Sequence, residues 1–333
     1  MANRRKKKRT SRRAAVIFLL VVIAAVILLL TLAKHFDRLS LPAETPSATL
    51  RPSPTPKAAA TPEPTPEPTP EPTPEPTPEP EPTPDPKAVA ALAAAALEPP
   101  KRLEREEILA RLEELAVWDS RFLEIRDRAD ELSEPLLIDV ANNPELLEFV
   151  LAYPTTPEAP GEFTAAELAG EEPLLLQYDP RWGYASYGSN CLAVTGCGPT
   201  CLSIAALHFN ADPKATPDRV AAWALENDYY VYGAGTKWSL FTEGAAAWGL
   251  EGKELGLWKQ GMYKALDEGK WIVLIMDTGR FTVFGHFIVV CGYDDEGFQV
   301  LDPFSRARSG VRWTYEQISD QISNLWTICA AGG

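Results

Sequence analysis

The stretch TGCGPTCLSIAAL, residues 195–207, places a cysteine between two glycines and follows it with a proline and an apolar run. Proline is favoured in the first turn of a helix, and the apolar residues recur at helical spacing, so the sequence predicts a helix over 199–209. Cys197 then stands at the helix N-terminus, where free backbone N–H groups and the positive end of the dipole favour a thiolate. This placement predicts a nucleophile. The alternative is a small buried apolar residue or half of a disulfide.

A cysteine nucleophile needs a base, usually histidine, and a group that orients that base. The chain has 3 histidines. His35 lies next to an apolar run far from Cys197, and His208 follows Cys197 in the same predicted helix, roughly 16 Å away at the helical rise. A histidine at a strand start is more often structural, yet elimination leaves His286, which opens the apolar segment 286–293, as the candidate base.

Asp302 is the candidate orienting group for His286. The two residues are separated by the turn signal GYDDEG, residues 292–297. If the turn is centred near Asp294, the two side chains lie opposite each other on one face of an antiparallel pair. If it is centred one residue later, they are diagonal neighbours on that face. The alternative for Asp302 is a turn residue before Pro303.

The residues from 172 to 333 predict one α+β domain, because helical signals come first and strand signals later. Eight of the 9 tryptophans fall in this part, which favours an aromatic-lined cleft. The predicted helices are 199–209, 217–226 with Thr216 as its cap, segments near 237–248 and 259–268, and a last helix from Thr314 with Gln317 as its capping-box partner. The predicted strands are 271–276, 286–293 and 298–302.

The first 33 residues predict a membrane anchor. Residues 1–13 carry eight Lys or Arg and no acid, and residues 14–33 carry no charge. Twenty apolar residues match the ~30 Å hydrocarbon core of a bilayer. The basic cluster is expected to stay in the cytoplasm, which makes this a single-pass protein of the cell membrane with its C-terminal domain outside. A secretory signal peptide is the alternative, but the apolar run is longer than a signal core.

Residues 34–87 predict an extended linker, because proline occupies every second position from Pro62 to Pro86. Such a segment adopts a polyproline-type rod or remains disordered, and at ~3.1 Å per residue its residues 42–86 reach on the order of 140 Å. Residues 88–171 then predict a small helical region, with apolar residues at helical spacing and neither His nor Cys. We interpret this region as packing or regulatory material.

Charge and cysteine content exclude several classes of function. The net charge is −14, and removing the eight basic residues of the tail leaves 24 Lys and Arg against 46 Asp and Glu. This acidic balance excludes nucleic acid as a partner outside the tail. The absence of a C-x-x-C motif disfavours zinc, and no metal or other cofactor is expected. The remaining cysteines are expected to form two disulfides or to be buried free thiols: Cys191, Cys201, Cys291 and Cys329.

Five motifs in this order resemble the secreted cysteine peptidase-like domains related to the bacteriocin leader (double-glycine) peptidases, within the papain-like group. The resemblance covers about residues 172–329 and implies a papain-like fold, in which a helical part carries the nucleophile and an antiparallel sheet carries the histidine and aspartate. The motifs are LLLQYDPRWGYASYG (174–188), GCGPTCLSIA (196–205), GTKWSLF (235–241), GRFTVFGHFIVVCGYD (279–294) and VLDPFSRARSG (300–310).

The resemblance implies that Cys197 is the nucleophile, His286 the base and Asp302 its orienting group. It also implies that Gln177 donates to the oxyanion hole beside the backbone N–H of Cys197. Gln177 lies 20 residues before Cys197, farther than in the relatives, so a longer loop over 184–196 has to bring the two together. A polar cap of the first strand is the alternative for Gln177. The candidate substrate-contacting residues are Trp182, Gly196, Gly198, Trp238 and Gly285.

Together these features predict a membrane-anchored extracytoplasmic cysteine peptidase or amidase that acts on a peptide or protein, with cell-wall peptide among the candidate substrates. Two alternatives use the same fold. One is a non-catalytic module that binds a peptide or wall polymer, and the other is an acyl transferase that uses the same acyl-enzyme. The sequence does not set the oligomeric state.

Overall fold

The computed structural model of the chain describes residues 85–155, 159–170 and 173–332. The predicted basic tail 1–13, the predicted membrane span 14–33 and most of the predicted linker 34–87 lie outside the described residues. Within the described ranges, no helix has both the length and the apolar character needed to cross a bilayer. All of these ranges belong to one compact unit, Pro78–Gly333.

The first part of this unit is helical, as its apolar spacing predicts. Asp85 caps the first helix by accepting a hydrogen bond from the Lys87 backbone N–H, and Pro86 occupies the first turn, so this helix begins at the end of the predicted linker. The helices are α1 (Pro86–Leu97), α2 (Arg105–Leu115), α3 (Phe122–Asp127), α4 (Glu134–Asn142), α5 (Leu147–Leu151) and α6 (Ala165–Leu168), with 3-10 turns at Ala129–Glu131 and Pro144–Leu146.

The second part combines helices with antiparallel strands. The first strands and helices are β1 (Ser186–Tyr187), β2 (Asn190–Cys191), α7 (Leu192–Thr195), α8 (Cys197–Asn210), α9 (Pro217–Glu226), β3 (Tyr230–Val231), β4 (Gly235–Thr236) and β5 (Leu250–Glu254). They are followed by α10 (Lys259–Asp267), β6 (Trp271–Met276), β7 (His286–Asp294), β8 (Gly297–Leu301), α11 (Arg306–Ser309), β9 (Arg312–Trp313), α12 (Tyr315–Ile318) and β10 (Ile322–Ala330).

Six strands form one antiparallel sheet in the order β5-β10-β6-β7-β8-β9. Alternate residues of its central strands enter two different apolar clusters. Val273 and Val289 pack in the cluster that contains α8, whereas Ile272 and Ile288 pack with α10 on the other face. Coverage on both faces explains why β6 and β7 read as unbroken apolar runs.

The structure changes two of the secondary-structure predictions. The segment predicted as a helix near 237–248 forms two 3-10 helices, Trp238–Phe241 and Gly244–Trp248, and it ends at Gly249, whose φ of 67° is left-handed. The capping box of Thr314 and Gln317 is formed, but α12 ends after one turn. The chain then enters β10, which was not predicted from the sequence. This strand pairs with β5 on one side and β6 on the other, and such pairing overrides local preference.

The helical region and the sheet-bearing part share a hydrophobic cluster across the predicted boundary at 171/172. The cluster contains Leu112 and Leu137 of the helical region together with Leu176 and Tyr184 of the later part. The Phe149 ring stacks on Tyr184 with ring centroids 4.2 Å apart. The core of the helical region is therefore shared with the later part of the chain.

Because this cluster joins both parts, the chain is expected to unfold in a single cooperative transition, and Phe149→Ala is expected to shift that transition to lower temperature. Phe149 is 2% exposed, so its truncation leaves a cavity and lowers the free energy of unfolding by about 3–5 kcal/mol. Calorimetry on the full chain measures both the shift and the number of transitions. Trp118→Ala is the control, because Trp118 is 47% exposed and its loss is expected to cost less than ~0.5 kcal/mol. Two separate transitions would contradict the shared core.

Candidate active site

Helix α8 presents Cys197 at its first position. The residues that follow, from Gly198 to Leu207, are buried, so only the N-terminal end of this helix reaches the surface of a cavity. Cys197 itself is partly exposed. The free backbone N–H groups of the first turn point toward the same end, as the sequence predicted for a reactive cysteine.

The glycines that flank Cys197 are required for packing and not for contact with a ligand. A Cβ on Gly198 would lie 2.5 Å from the Thr236 Oγ1 atom, and a Cβ on Gly196 would lie 2.4 Å from the Leu192 carbonyl oxygen. Neither glycine lines the cavity. The prediction that Gly196 and Gly198 contact substrate is therefore corrected: they let the first turn of α8 approach its neighbours closely.

His286 and Asp302 meet across strands β7 and β8. Val289 pairs with Leu301, so continuing the register by one pair places Asp302 across from Ile288 and diagonal to His286. This is the second of the two turn geometries predicted, and a register shift between Val290 and Gly292 accompanies it. The His286 Nε2 atom lies 2.7 Å from Asp302 Oδ1.

Asp302 is a fully buried carboxylate with three partners. Arg308 Nε donates to Oδ2 at 2.6 Å, and the Phe304 backbone N–H donates to Oδ1 at 2.8 Å, beside the contact with His286. Burial alone would raise the pKa of Asp302, but the positive charges of Arg308 and His286 hold it well below the usual value. Asp302 is therefore ionised.

The surroundings of His286 favour its charged form. Burial of the imidazole opposes the charge, whereas the Asp302 carboxylate and the neighbouring Cys197 thiol raise the pKa of His286 to about 9. Cys197 and His286 line the same cavity. Because Asp302 engages Nε2, Nδ1 is the ring nitrogen that remains for Cys197. The structure thus brings the three predicted residues to one site, where His286 contacts Asp302 and shares its cavity with Cys197.

Gln177 reaches the same cavity despite its distance from Cys197 in sequence. It is 2% exposed, and its Nε2 donates to the Ala193 carbonyl oxygen at 2.6 Å. Its backbone N–H donates to the Pro303 carbonyl oxygen at 2.7 Å. Gln177 therefore links the segment before Cys197 to the segment after Asp302. The second N–H of its side-chain amide does not take part in the hydrogen bond to Ala193.

The cavity has a volume of about 580 Å³ and contains Cys197, His286 and Gln177 in its lining. Trp238 and Gly285, two of the predicted substrate-contacting residues, also line it. Trp238 is 47% exposed, and Phe284, which the sequence analysis missed, is 63% exposed. Both rings offer exposed aromatic surface to a bound ligand.

Trp182 does not reach the cavity, so its predicted contact with substrate is wrong. Its side chain is fully buried in the core beside α8, and its indole N–H donates to the Leu176 carbonyl oxygen at 2.7 Å. Arg181 covers the ring with its guanidinium carbon 4.2 Å from the ring centroid. A satisfied indole N–H and full burial define a core residue.

Several polar side chains that border the site were not predicted from the sequence. Arg308 is 1% exposed and holds Asp302, while Asp139 and Asn143 line the cavity from the helical region. Burial raises the pKa of Asp139 well above its usual value, against the positive charges of His286 and Arg308. The helical region therefore contributes polar side chains to the cavity lining in addition to packing.

All five cysteines lie within the described residues and are free thiols. Burial raises the pKa of both Cys191 and Cys291 to about 11, so these thiols are protonated at neutral pH. Of the two alternatives for the other cysteines, the structure therefore has free thiols. Across the described ranges no group of three or more His, Cys, Asp or Glu is placed to hold a metal ion.

A helix that presents a cysteine at its N-terminus to a histidine on an antiparallel sheet is an arrangement of the cysteine peptidase-like class. Residues 173–330 match the family model described as the Peptidase_C39 like family, and this match supports a C39-like cysteine peptidase domain over these residues. The match confirms the resemblance drawn from the five motifs. No curated protein matches the chain.

Asp302→Asn tests whether the carboxylate controls the charge of His286. In the wild type, kcat/KM for peptide hydrolysis is expected to decline above about pH 9, where the imidazolium loses its proton. Asparagine keeps an acceptor oxygen but removes the charge that raises the pKa, so the decline moves to lower pH. Asp302→Ala is expected to lose more activity, and both variants to stay far above Cys197→Ala and His286→Ala.

Activity in this experiment is expressed per folded molecule. Either substitution leaves the buried Arg308 without its counter-charge, which costs on the order of 3–5 kcal/mol of stability. If the alkaline decline stays in place in Asp302→Asn, Asp302 has no part in the mechanism and a Cys197–His286 dyad remains.

Proposed function

We propose that this protein is a cysteine peptidase or amidase, anchored in the membrane, whose active site faces away from the cytoplasm. One observation carries the catalytic part of the proposal. His286 contacts Asp302 at 2.7 Å and faces Cys197 at the start of α8, inside an open cavity. These are the three roles that thiol acyl transfer needs: nucleophile, proton carrier and orienting carboxylate.

In the proposed reaction the Cys197 sulfur attacks the carbonyl carbon of an amide bond and forms a tetrahedral oxyanion. The backbone N–H of Cys197 and the second amide N–H of Gln177 hold that oxygen. The imidazolium of His286 gives its proton to the departing amine, so the carbon–nitrogen bond breaks and an acyl-enzyme remains. Water, deprotonated by His286, then hydrolyses the thioester and restores the thiol.

The substrate of the proposed reaction is a peptide or protein segment. Trp238 and Phe284 offer exposed aromatic surface at the cavity, which suits apolar or planar groups of a chain in extended form. Asp139 adds a carboxyl group to the lining, and burial favours its neutral form. An extracytoplasmic site reached by a long linker also suits a cell-wall peptide.

A peptidyl electrophile with an iodoacetamide-type reactive group is expected to label Cys197 faster than any other cysteine and to abolish peptide hydrolysis. Cys191 and Cys291 stay unlabelled, because burial raises the pKa of each to about 11 and keeps it protonated. Peptide mapping by mass spectrometry locates the label, and Cys197→Ser serves as the control. His286→Ala is expected to slow labelling strongly.

The same experiment separates the proposed function from its alternatives. Labelling of Cys197 in a protein that binds peptide but never hydrolyses it would favour the binding module. Turnover that requires an added amine acceptor would favour an acyl transferase. Labelling elsewhere, with Cys197 inert, would refute the nucleophile assignment.

The membrane part of the proposal is supported by the sequence alone. Eight basic residues precede an uncharged stretch at 14–33, and a proline-rich segment follows it. Protease added to intact cells is expected to release a soluble fragment by cutting the linker. A tag at the C-terminus follows the fragment on a blot, and a cytoplasmic marker protein controls for lysis. Complete protection until the cells are lysed would contradict the topology.

A further inference from the structure

The loop from Asp302 to Ser309 carries the groups that hold the catalytic carboxylate. Arg308 pairs with Asp302 Oδ2, and the Ser309 hydroxyl oxygen accepts the Asp302 backbone N–H at 2.8 Å. Both come from α11, a single helical turn. So short a helix does not hold its own shape in water, so its position depends on what it packs against.

The helical region fixes this loop through one carboxylate, Glu145, on the 3-10 turn Pro144–Leu146. Glu145 Oε2 accepts the Arg306 backbone N–H at 2.7 Å, and Oε1 accepts the Ala307 backbone N–H at 2.8 Å. The Ser305 hydroxyl also donates to Oε1, at 3.3 Å. Three consecutive residues of the loop are thus bound by the two oxygens of one side chain.

Further contacts hold Glu145 and the loop in position. The Tyr178 hydroxyl donates to Glu145 Oε2 at 2.7 Å. Asn143, which is fully buried, donates its side-chain N–H to the Phe304 carbonyl oxygen, and its own oxygen accepts the Glu145 backbone N–H. A negative charge at the first turn of α11 also matches the direction of the helix dipole.

A second contact from the helical region reaches the segment before His286. Arg102 donates from Nη2 to the Val283 carbonyl oxygen at 3.2 Å, and its guanidinium carbon lies 4.8 Å from the centroid of the Phe284 ring. The region before residue 172 therefore holds the chain on the two sides that supply His286 and Asp302.

We propose that Glu145 is a positioning residue of the active site, which acts by holding loop 305–307 so that Arg308 and Ser309 keep Asp302 aligned with His286. This inference rests on the proposed function for its kinetic consequences only. Glu145 does not line the cavity, so its effect on substrate is indirect. The segment that contains it lies outside the family-matched residues 173–330.

Glu145→Gln is the sharpest substitution, because both carboxylate oxygens accept backbone N–H groups and glutamine offers only one acceptor oxygen. We expect kcat to fall by on the order of 10²-fold with little change in KM, as a small misplacement of catalytic groups does. We also expect the alkaline decline of kcat/KM to move to lower pH, because a displaced Asp302 stabilises the His286 imidazolium less. Glu148→Gln is the matched control: its side chain is 71% exposed and pairs with Arg121 at the surface.

A pair of substitutions on the loop tests the same contact without changing Glu145. Arg306→Pro removes the backbone N–H that donates to Glu145 at the first position of α11, where proline is otherwise favoured. Ser305 precedes it with φ −154° and ψ 122°, a conformation compatible with a following proline. Arg306→Ala keeps the N–H and removes the same exposed side chain. We expect Arg306→Pro to reproduce the fall in kcat and Arg306→Ala to behave as wild type.

Alkylation of Cys197 by iodoacetamide in the full chain gives a readout that requires no hydrolysis. Its rate against pH is expected to show a step where His286 loses its proton, and that step moves to lower pH in Glu145→Gln and Arg306→Pro. If no peptide is hydrolysed but the step moves, the proposed function fails and the role of Glu145 stands. If the step and kcat are unchanged in both variants, Glu145 is a structural residue only and the inference is overturned. Should Glu145→Gln not fold, the comparison of Arg306→Pro with Arg306→Ala decides.

Discussion

The site depends on one constraint, which is that the fully buried carboxylate of Asp302 must be paired to remain charged. An unpaired ion in such a place would take up a proton, and His286 would then have no negative partner. Arg308, itself buried, meets one oxygen of Asp302, while His286 and a backbone N–H meet the other. Each of these three charged groups is stabilised by its neighbour. Loss of the imidazolium, the carboxylate or the guanidinium therefore destabilises the charge of the others.

The sheet supplies the rigidity that this chain of charges requires. Strands β6 and β7 are buried on both faces, and His286 is the first residue of β7, where the strand meets the cavity. Helix α8 packs in the same cluster and begins at Cys197. Cys197 and His286 thus lie at the ends of two well-packed elements, whereas the aromatic cavity residues Trp238 and Phe284 lie on exposed loop or 3-10 segments. Sites placed on packed elements keep their geometry better than sites on loops.

Sequence was sufficient for those features that depend on local pattern or on elimination. The apolar runs gave β6 and β7 within a residue of their observed ends, and only one histidine was within reach of Cys197. The sequence was insufficient for features that tertiary contacts determine. Nothing in SRARSG separates the exposed Arg306 from the buried Arg308 until α11 is known. Strand β10 could not be predicted from the capping box before it, because its partners β5 and β6 lie about 50 to 80 residues earlier in the chain.

Trp182 shows a different limit of sequence reasoning. An aromatic residue inside a family-like motif was assigned to the cleft, yet its indole N–H finds the Leu176 carbonyl oxygen and the ring is fully buried. A tryptophan whose polar atom is satisfied inside the fold gains more from burial than from a place on a wet surface. Burial of this kind is a property of the three-dimensional neighbourhood, and periodicity does not reveal it.

The helical region was interpreted as packing or regulatory material because it contains neither histidine nor cysteine. That criterion finds groups that react, but it does not find groups that hold a loop. The loop after Asp302 has backbone N–H groups that an apolar covering surface would leave unpaired, at a cost of about 1–3 kcal/mol each. Any segment that covers this loop must therefore present acceptors, and Glu145 does so for the Arg306 and Ala307 N–H groups. The unit that shapes the active site is for this reason larger than the family-matched part of the chain.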